Sequence, residues 1–211
     1  DYVVVIDGGG NIYVLDRKGE SRIDLTAHLN ISPQNTYYLD VGGDLSKSRI
    51  VASDSAGTVH FVYFNNRHDS IEFETFSSDH FFVYANLDKD KEEECIFLDK
   101  VLLQVYKQNK EQLFIYTFSR FVNYMPQVVD LPDNTSRIGV CLDKTDELFL
   151  FDASGVLYPG FPVYGNTPFV VADIRNNGTP HLVTGSSEGV MDYEMVQATV
   201  STVKRGERVK K

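Results

Sequence analysis

The chain has 211 residues and a net charge of −10, with 42% apolar and 24% charged side chains; that is enough for one large or two small domains with a substantial core, and it excludes a disordered chain. The last eight residues carry +4, so residues 1–203 carry −14, and such a body repels nucleic acid and anionic lipid surfaces. No stretch approaches the roughly 18 to 20 consecutive apolar residues that cross a bilayer, so no direct membrane insertion is expected.

Val, Ile, Phe, Tyr and Thr supply 73 residues against 26 for Ala, Leu and Met, a bias toward side chains that suit a pleated surface, so strands dominate the expected structure. In chain order, the first paired apolar runs are residues 2–6 with 11–15, joined by Asp7-Gly-Gly-Gly10. Residues 24–35 have some helical character, but Ser32, Pro33 and Asn35 break it, which makes this stretch an expected loop between units. The paired pattern then recurs as residues 49–52 with 58–63, 95–98 with 103–106, 137–140 with 147–151, and 181–184 with 190–193. Ile50, Ile96, Ile138 and Leu182 hold corresponding places, at spacings of 46, 42 and 44 residues.

That period is too long for a hairpin and right for four strands with their turns. A first strand precedes each of the last four pairs, at residues 37–40, 82–86, 127–130 and 169–173, and an alternating fourth strand follows at 70–76 and 112–118. In the former, Ile71, Phe73 and Thr75 fall on one face and Glu72, Glu74 and Phe76 on the other, as in an outer strand with one wet side. The expected fold is all-β, a β-propeller of four-stranded antiparallel blades. Units fall roughly at 1–28, 36–76, 80–118, 122–164 and 168–198 within a propeller of residues 1–203, followed by a basic flexible tail at 204–211. Residues 1–203 hold about four to five blades, so the chain is expected to belong to a larger ring or a longer polypeptide. The alternative is closure by pairing of the N-terminal strands with those of the last unit. The first residues lack the basic start of a signal peptide, so any targeting segment is expected outside this chain.

One turn carries a ligand-like pattern. In Asn86-Leu-Asp88-Lys-Asp90-Lys-Glu-Glu-Glu94, oxygen-bearing side chains stand at positions 1, 3, 5 and 9 of a tight loop, the hard donors that Ca²⁺ takes. The stretch 85–97 resembles the calcium loop of FG-GAP and VCBS-type propeller repeats, and Phe151-Asp-Ala-Ser-Gly-Val-Leu-Tyr-Pro-Gly-Phe-Pro-Val163 is similar to the corner that hands the chain to the next blade of such repeats. The resemblance covers most of residues 1–196 and implies calcium ligation by Asn86, Asp88, Asp90 and Glu94. The departures are Lys89 and Lys91 at glycine positions and the neutral Asn86 in place of the first acid. With two ammonium groups opposing a dication, the expected state is a metal-free descendant of the turn, with Ca²⁺ as the alternative. Residues 181–190 resemble the last repeat of propeller-bearing envelope proteins of bacteria, which implies an envelope or exported setting.

Other patterns fail on context. Gly185-Ser-Ser187-Glu-Gly189 joins two strands, whereas a nucleophile elbow leads into a helix. Asp7-Gly-Gly-Gly10 likewise lacks a following helix to hold phosphate. The five histidines, His28, His60, His68, His80 and His181, never approach helical metal-ligand spacing, and Asp79-His80 is the sole pair in which an acid immediately precedes a histidine. Cys95 and Cys141 lie in apolar runs and are expected as buried free thiols. Phe121, Tyr124, Met125, Tyr158 and Phe161 fall in loops, where aromatics either grip a ligand or pack between blades.

No catalytic or cofactor-binding set emerges. The expected function is a non-catalytic binding or protein-interaction module on a rigid scaffold, with a protein or glycan ligand. The alternative is a glycoside hydrolase or lyase using carboxylates at the ring mouth, for which Asp40, Asp130 and Asp173 end equivalent strands. A third reading, quinone binding by an eight-bladed propeller, is disfavoured because the chain has no tryptophan.

Overall fold

A computed structural model describes residues 2–22, 29, 31, 32 and 34–195. Among these the regular structure is all strand, arranged as consecutive antiparallel sheets in which each strand pairs with its neighbour in sequence. Blade 1 holds β1 (Val3–Ile6) and β2 (Ile12–Leu15). Blade 2 holds β3 (Tyr38–Asp40), β4 (Arg49–Ser53), β5 (Thr58–Tyr63) and β6 (His68–Glu72). Blade 3 holds β7 (Phe81–Ala85), β8 (Glu94–Asp99), β9 (Leu102–Tyr106) and β10 (Gln112–Thr117). Blade 4 holds β11 (Gln127–Asp130), β12 (Ser136–Leu142), β13 (Glu147–Phe151) and the short β14 (Val163–Tyr164). Blade 5 holds β15 (Phe169–Ala172), β16 (His181–Ser186) and β17 (Gly189–Glu194). These are the blades of a β-propeller.

The apolar layers lie between blades rather than within them. Along β8, Cys95 and Phe97 join Val51, Val59 and Phe61 of blade 2, while Ile96 and Leu98 join Ile138, Val140 and Phe151 of blade 4. A strand buried on both faces needs no polar alternation, which is why the central strands read as continuous apolar runs. The fourth strands β6 and β10 lie at the blade edge and are largely exposed or half-buried. Phe97 is the centre of an aromatic group: Phe76 stacks on it at 4.2 Å, Phe82 stands at 5.2 Å and Phe73 at 5.4 Å.

Turns are built by a recurring Asp-x-x-Gly. At β4–β5, Asp54 Oδ1 accepts from the backbone N–H groups of Ala56 and Thr58, and Gly57 takes the left-handed φ of +91° that a side chain would oppose. Asp7, Asp16 and Asp152 do the same in their own turns. Amide side chains then clasp blade to blade. Gln127 donates to the Phe169 carbonyl and accepts from its N–H, and Asn35 accepts from the Phe82 N–H.

One expectation changes. Phe76 was expected on the wet side of the outer strand with Glu72 and Glu74; it is buried, because the ladder ends at Glu72 and the chain turns inward over Gly57 to reach Phe97. The N-terminal strands do not pair with the last unit: among the described residues β1 and β2 form a sheet of their own. Of the expected inter-unit loop, Ile31 bridges to Asp54 and Ser32 is fully buried, while residues 23–28, 30 and 33 lie outside the described residues, as does the basic tail.

Candidate functional site

Because strands alternate in direction, the turns joining first to second and third to fourth strands emerge on one rim. The 86–94 loop is the blade 3 member of that set. Its oxygens are held in place by backbone donors: Asp88 Oδ1 accepts from the Asp90 N–H, Asp90 Oδ1 from the Glu92 N–H, and Glu94 Oε2 from the Leu87 N–H at 2.7 Å. Ligand oxygens of Asp88, Asp90 and Glu94 lie within 4.8 Å of one another. Glu94 is 1% exposed, and its Oε1 and the Asn86 Oδ1 are buried with no hydrogen-bond partner. Burial, with Asp88 and Asp90 alongside, pushes the Glu94 carboxyl above its ordinary range.

The donor set alone suits a hard cation. Two of its carboxylates, however, are bridged by Lys107, just after β9, whose Nζ stands 2.7 Å from both Asp88 Oδ2 and Asp90 Oδ2. The Lys107 ammonium holds the Asp90 carboxyl below its usual value, and the two carboxylates raise the lysine. A dication between the same oxygens would face that ammonium at contact distance. Of the two lysines within the loop, Lys89 adopts a left-handed φ of 62° and turns away to Asp130 Oδ1 at 2.6 Å, while Lys91 lines a neighbouring cleft. Sequence reading missed Lys107. Counting outward from the Leu98–Leu103 pair places Glu94 opposite Lys107, and that count is the signal that finds it.

The three strand-end aspartates are each held by partners of their own. Asp40 Oδ2 accepts from Arg49 Nε at 2.7 Å. Asp130 accepts from Lys89 Nζ and from Ser136 Oγ, both at 2.6 Å, and these bonds, Lys89 first, lower its carboxyl. Asp173 accepts from the backbone N–H groups of Gly178 and Asn177, which lower it in turn.

Arg49 closes the seam between blades 2 and 3. Its guanidinium also donates to Tyr63 Oη, Tyr84 Oη and Gln108 Oε1, and it lies 4.5 Å from the centre of the Phe61 ring. Above it opens a cleft of about 520 Å³ lined by Lys47, Arg67, Lys91, Glu92 and Glu93 among others. The same rim carries a cleft of about 410 Å³ between blades 3 and 4, lined by Asp88, Lys89, Arg137 and Asp152, and one of about 370 Å³ between blades 4 and 5, lined by Asp133, Tyr158 and Glu194. Successive blades thus present a row of polar clefts along one edge.

The remaining candidates divide between packing and surface. Tyr124, Tyr158 and Phe161 pack against the layer between blades 4 and 5, Met125 packs between blades 3 and 4, and Phe121 stays exposed. Ser187 lies in the β16–β17 turn and bonds Tyr164 Oη. Cys95 and Cys141 are buried free thiols, both pushed up by burial, Cys141 to about 12. His80 bonds Ser77 and Ser53 rather than Asp79, and His181 pairs with Asp192 at 2.6 Å across β16–β17. His60 and His68 meet across β5–β6, a pairing that spacing along a helix could not reveal. His28 lies outside the described residues. No described helix is long and apolar enough to cross a membrane.

No family model matches the chain, and no curated protein matches it. Among solved structures it is similar to BBS1N in complex with ARL6DN. In the mercury-soaked crystal, 94% of this chain aligns with 62% of that chain at 16% identity and a TM-score of 0.55. In the lead-soaked crystal, 94% aligns with 56% at 14% identity and a TM-score of 0.58. The chain therefore spans about three fifths of the length of these matches, and the likeness is one of propeller fold.

Proposed function

We propose that the chain is a binding module without catalytic machinery, taking a protein ligand along the rim of inter-blade clefts. The observation that carries this reading is the fate of the strand-end acids. Asp40, Asp130 and Asp173 are each tied to a cation, a hydroxyl or backbone N–H groups, and the two whose carboxyls shift are lowered. A glycosidase acid at such a mouth needs a raised carboxyl with a second carboxyl at about 5 to 9.5 Å. Fold likeness adds a precedent, since BBS1N is itself crystallised with a protein partner. In this reading the 86–94 loop works with Lys107 as its cation and holds the rim without calcium. The mixed charges of Lys47, Arg67, Lys91, Glu92 and Glu93 set the register of the ligand. The envelope or exported setting belongs to the same proposal, and fractionation of native cells tests it.

The test is a parallel screen of the chain on a glycan array and as bait for proteins from native extract, with the double variant Arg67→Glu and Lys91→Glu as control. A protein retained by the native chain and lost from the variant supports the proposal. Turnover of a glycan that Asp40→Asn abolishes overturns it in favour of the enzyme.

A further inference from the structure

The β5–β6 hairpin of blade 2 carries a histidine pair that lines none of the clefts described above. Its register sets His60 opposite Ser70 and Val62 opposite His68, so the two histidines are diagonal neighbours on one face. His60 Nδ1 stands 3.1 Å from His68 Nε2, with ring centroids 5.2 Å apart. On the far side of the His60 ring, Nε2 is 3.1 Å from Asp54 Oδ2. Asp54 cannot drift, because its Oδ1 accepts two backbone N–H groups at 2.9 Å in the β4–β5 turn.

This order of contacts fixes the chemistry. A carboxylate at Nε2 draws the single hydrogen of neutral His60 to that nitrogen and leaves the Nδ1 lone pair aimed at His68. Two imidazole nitrogens bound to one dication at about 2.0 to 2.1 Å stand about 3.0 to 3.4 Å apart. The observed separation already lies in that interval, and His60 is half-buried while His68 is exposed, so an ion can enter from solvent and keep water on its open side.

The geometry points to a surface site for a borderline transition-metal dication of the Zn²⁺ class, ligated by His60 Nδ1 and His68 Nε2, with Asp54 as the positioning residue behind His60. Imidazole nitrogens favour Zn²⁺, Cu²⁺ and Ni²⁺ over the hard cations that carboxylates take. The bound ion takes the place of the hydrogen that the two nitrogens share in its absence, and that hydrogen passes to Nδ1 of the His68 ring.

The full chain is titrated with Zn²⁺ by calorimetry and with Cu²⁺ by electron paramagnetic resonance, alongside His60→Gln, His68→Gln, Asp54→Asn and Asp90→Asn, each checked for a native melting curve. We expect one Zn²⁺ site per chain and a Cu²⁺ spectrum with two nitrogen couplings. Both are lost in either histidine variant and unchanged in Asp90→Asn, and Asp54→Asn weakens affinity roughly 10- to 100-fold. Absence of saturable binding, retention of the site in His68→Gln, or its loss in Asp90→Asn would overturn the assignment.

Discussion

Phe169 fills the space that a side chain at Gly139 would need: a Cβ there would stand 2.0 Å from the Phe169 Cζ. Blade 5 docks on blade 4 through this ring, which is 3% exposed and whose backbone is gripped by the Gln127 amide. Gly139→Val should push the ring out and cost at least about 1 to 3 kcal/mol, the scale of overpacking. Hydrogen exchange should quicken first across β15, β16 and β17. An unchanged urea midpoint would contradict this account of the seam.

Phe97→Ala removes the ring around which Phe73, Phe76 and Phe82 gather. The expected loss is about 3 to 5 kcal/mol, the range for buried aromatics. Ile115, half exposed on β10, is the contrast: Ile115→Ala should stay within about 0.5 kcal/mol. Denaturant titration of both variants measures the difference.

Glu94 predicts a pH dependence. Its folded carboxyl is raised, mainly by burial, so its protonated form favours folding below the unfolded value near 4.5, and that contribution is lost as pH rises through the folded value. Glu94→Gln keeps an acceptor for the Leu87 N–H and carries no charge. Its melting temperature relative to the native chain should therefore increase between pH 4.5 and pH 7. A difference that stays flat or reverses over that interval would refute the assignment.

Lys107→Gln tests the loop cation. Without the ammonium, Asp88 and Asp90 repel one another, so the variant should melt lower and regain stability when millimolar Ca²⁺ is added. The native chain should melt at the same temperature with Ca²⁺ or chelator. A calcium-dependent melting curve in the native chain would mean that Lys107 gives way to the ion.

The all-β fold was legible because strands such as β8 and β12 are buried on both faces and their apolar runs recur at a nearly fixed interval. The first hairpin turn was legible as well, since Asp7-Gly-Gly-Gly10 joins two apolar runs and its aspartate accepts from the turn's own backbone. Side-chain pairings across strands were not. Lys107 with Asp88, and His60 with His68, depend on register, which hydrophobic pattern fixes only after the hairpin centre is known. Phe76 was misplaced because alternation describes a strand only as far as its ladder runs, and this ladder stops four residues earlier.

Each apolar layer is the joint property of two adjacent wedges, so no wedge owns an interior that would survive excision. Length change by single residues along a central strand would unseat two seams at once, whereas insertion or loss of a whole wedge re-forms one seam of the same kind. The scaffold should accordingly tolerate growth and shrinkage in whole repeats and diversification in its exposed turns, a grammar that leaves recognition free to drift while the stack stays put.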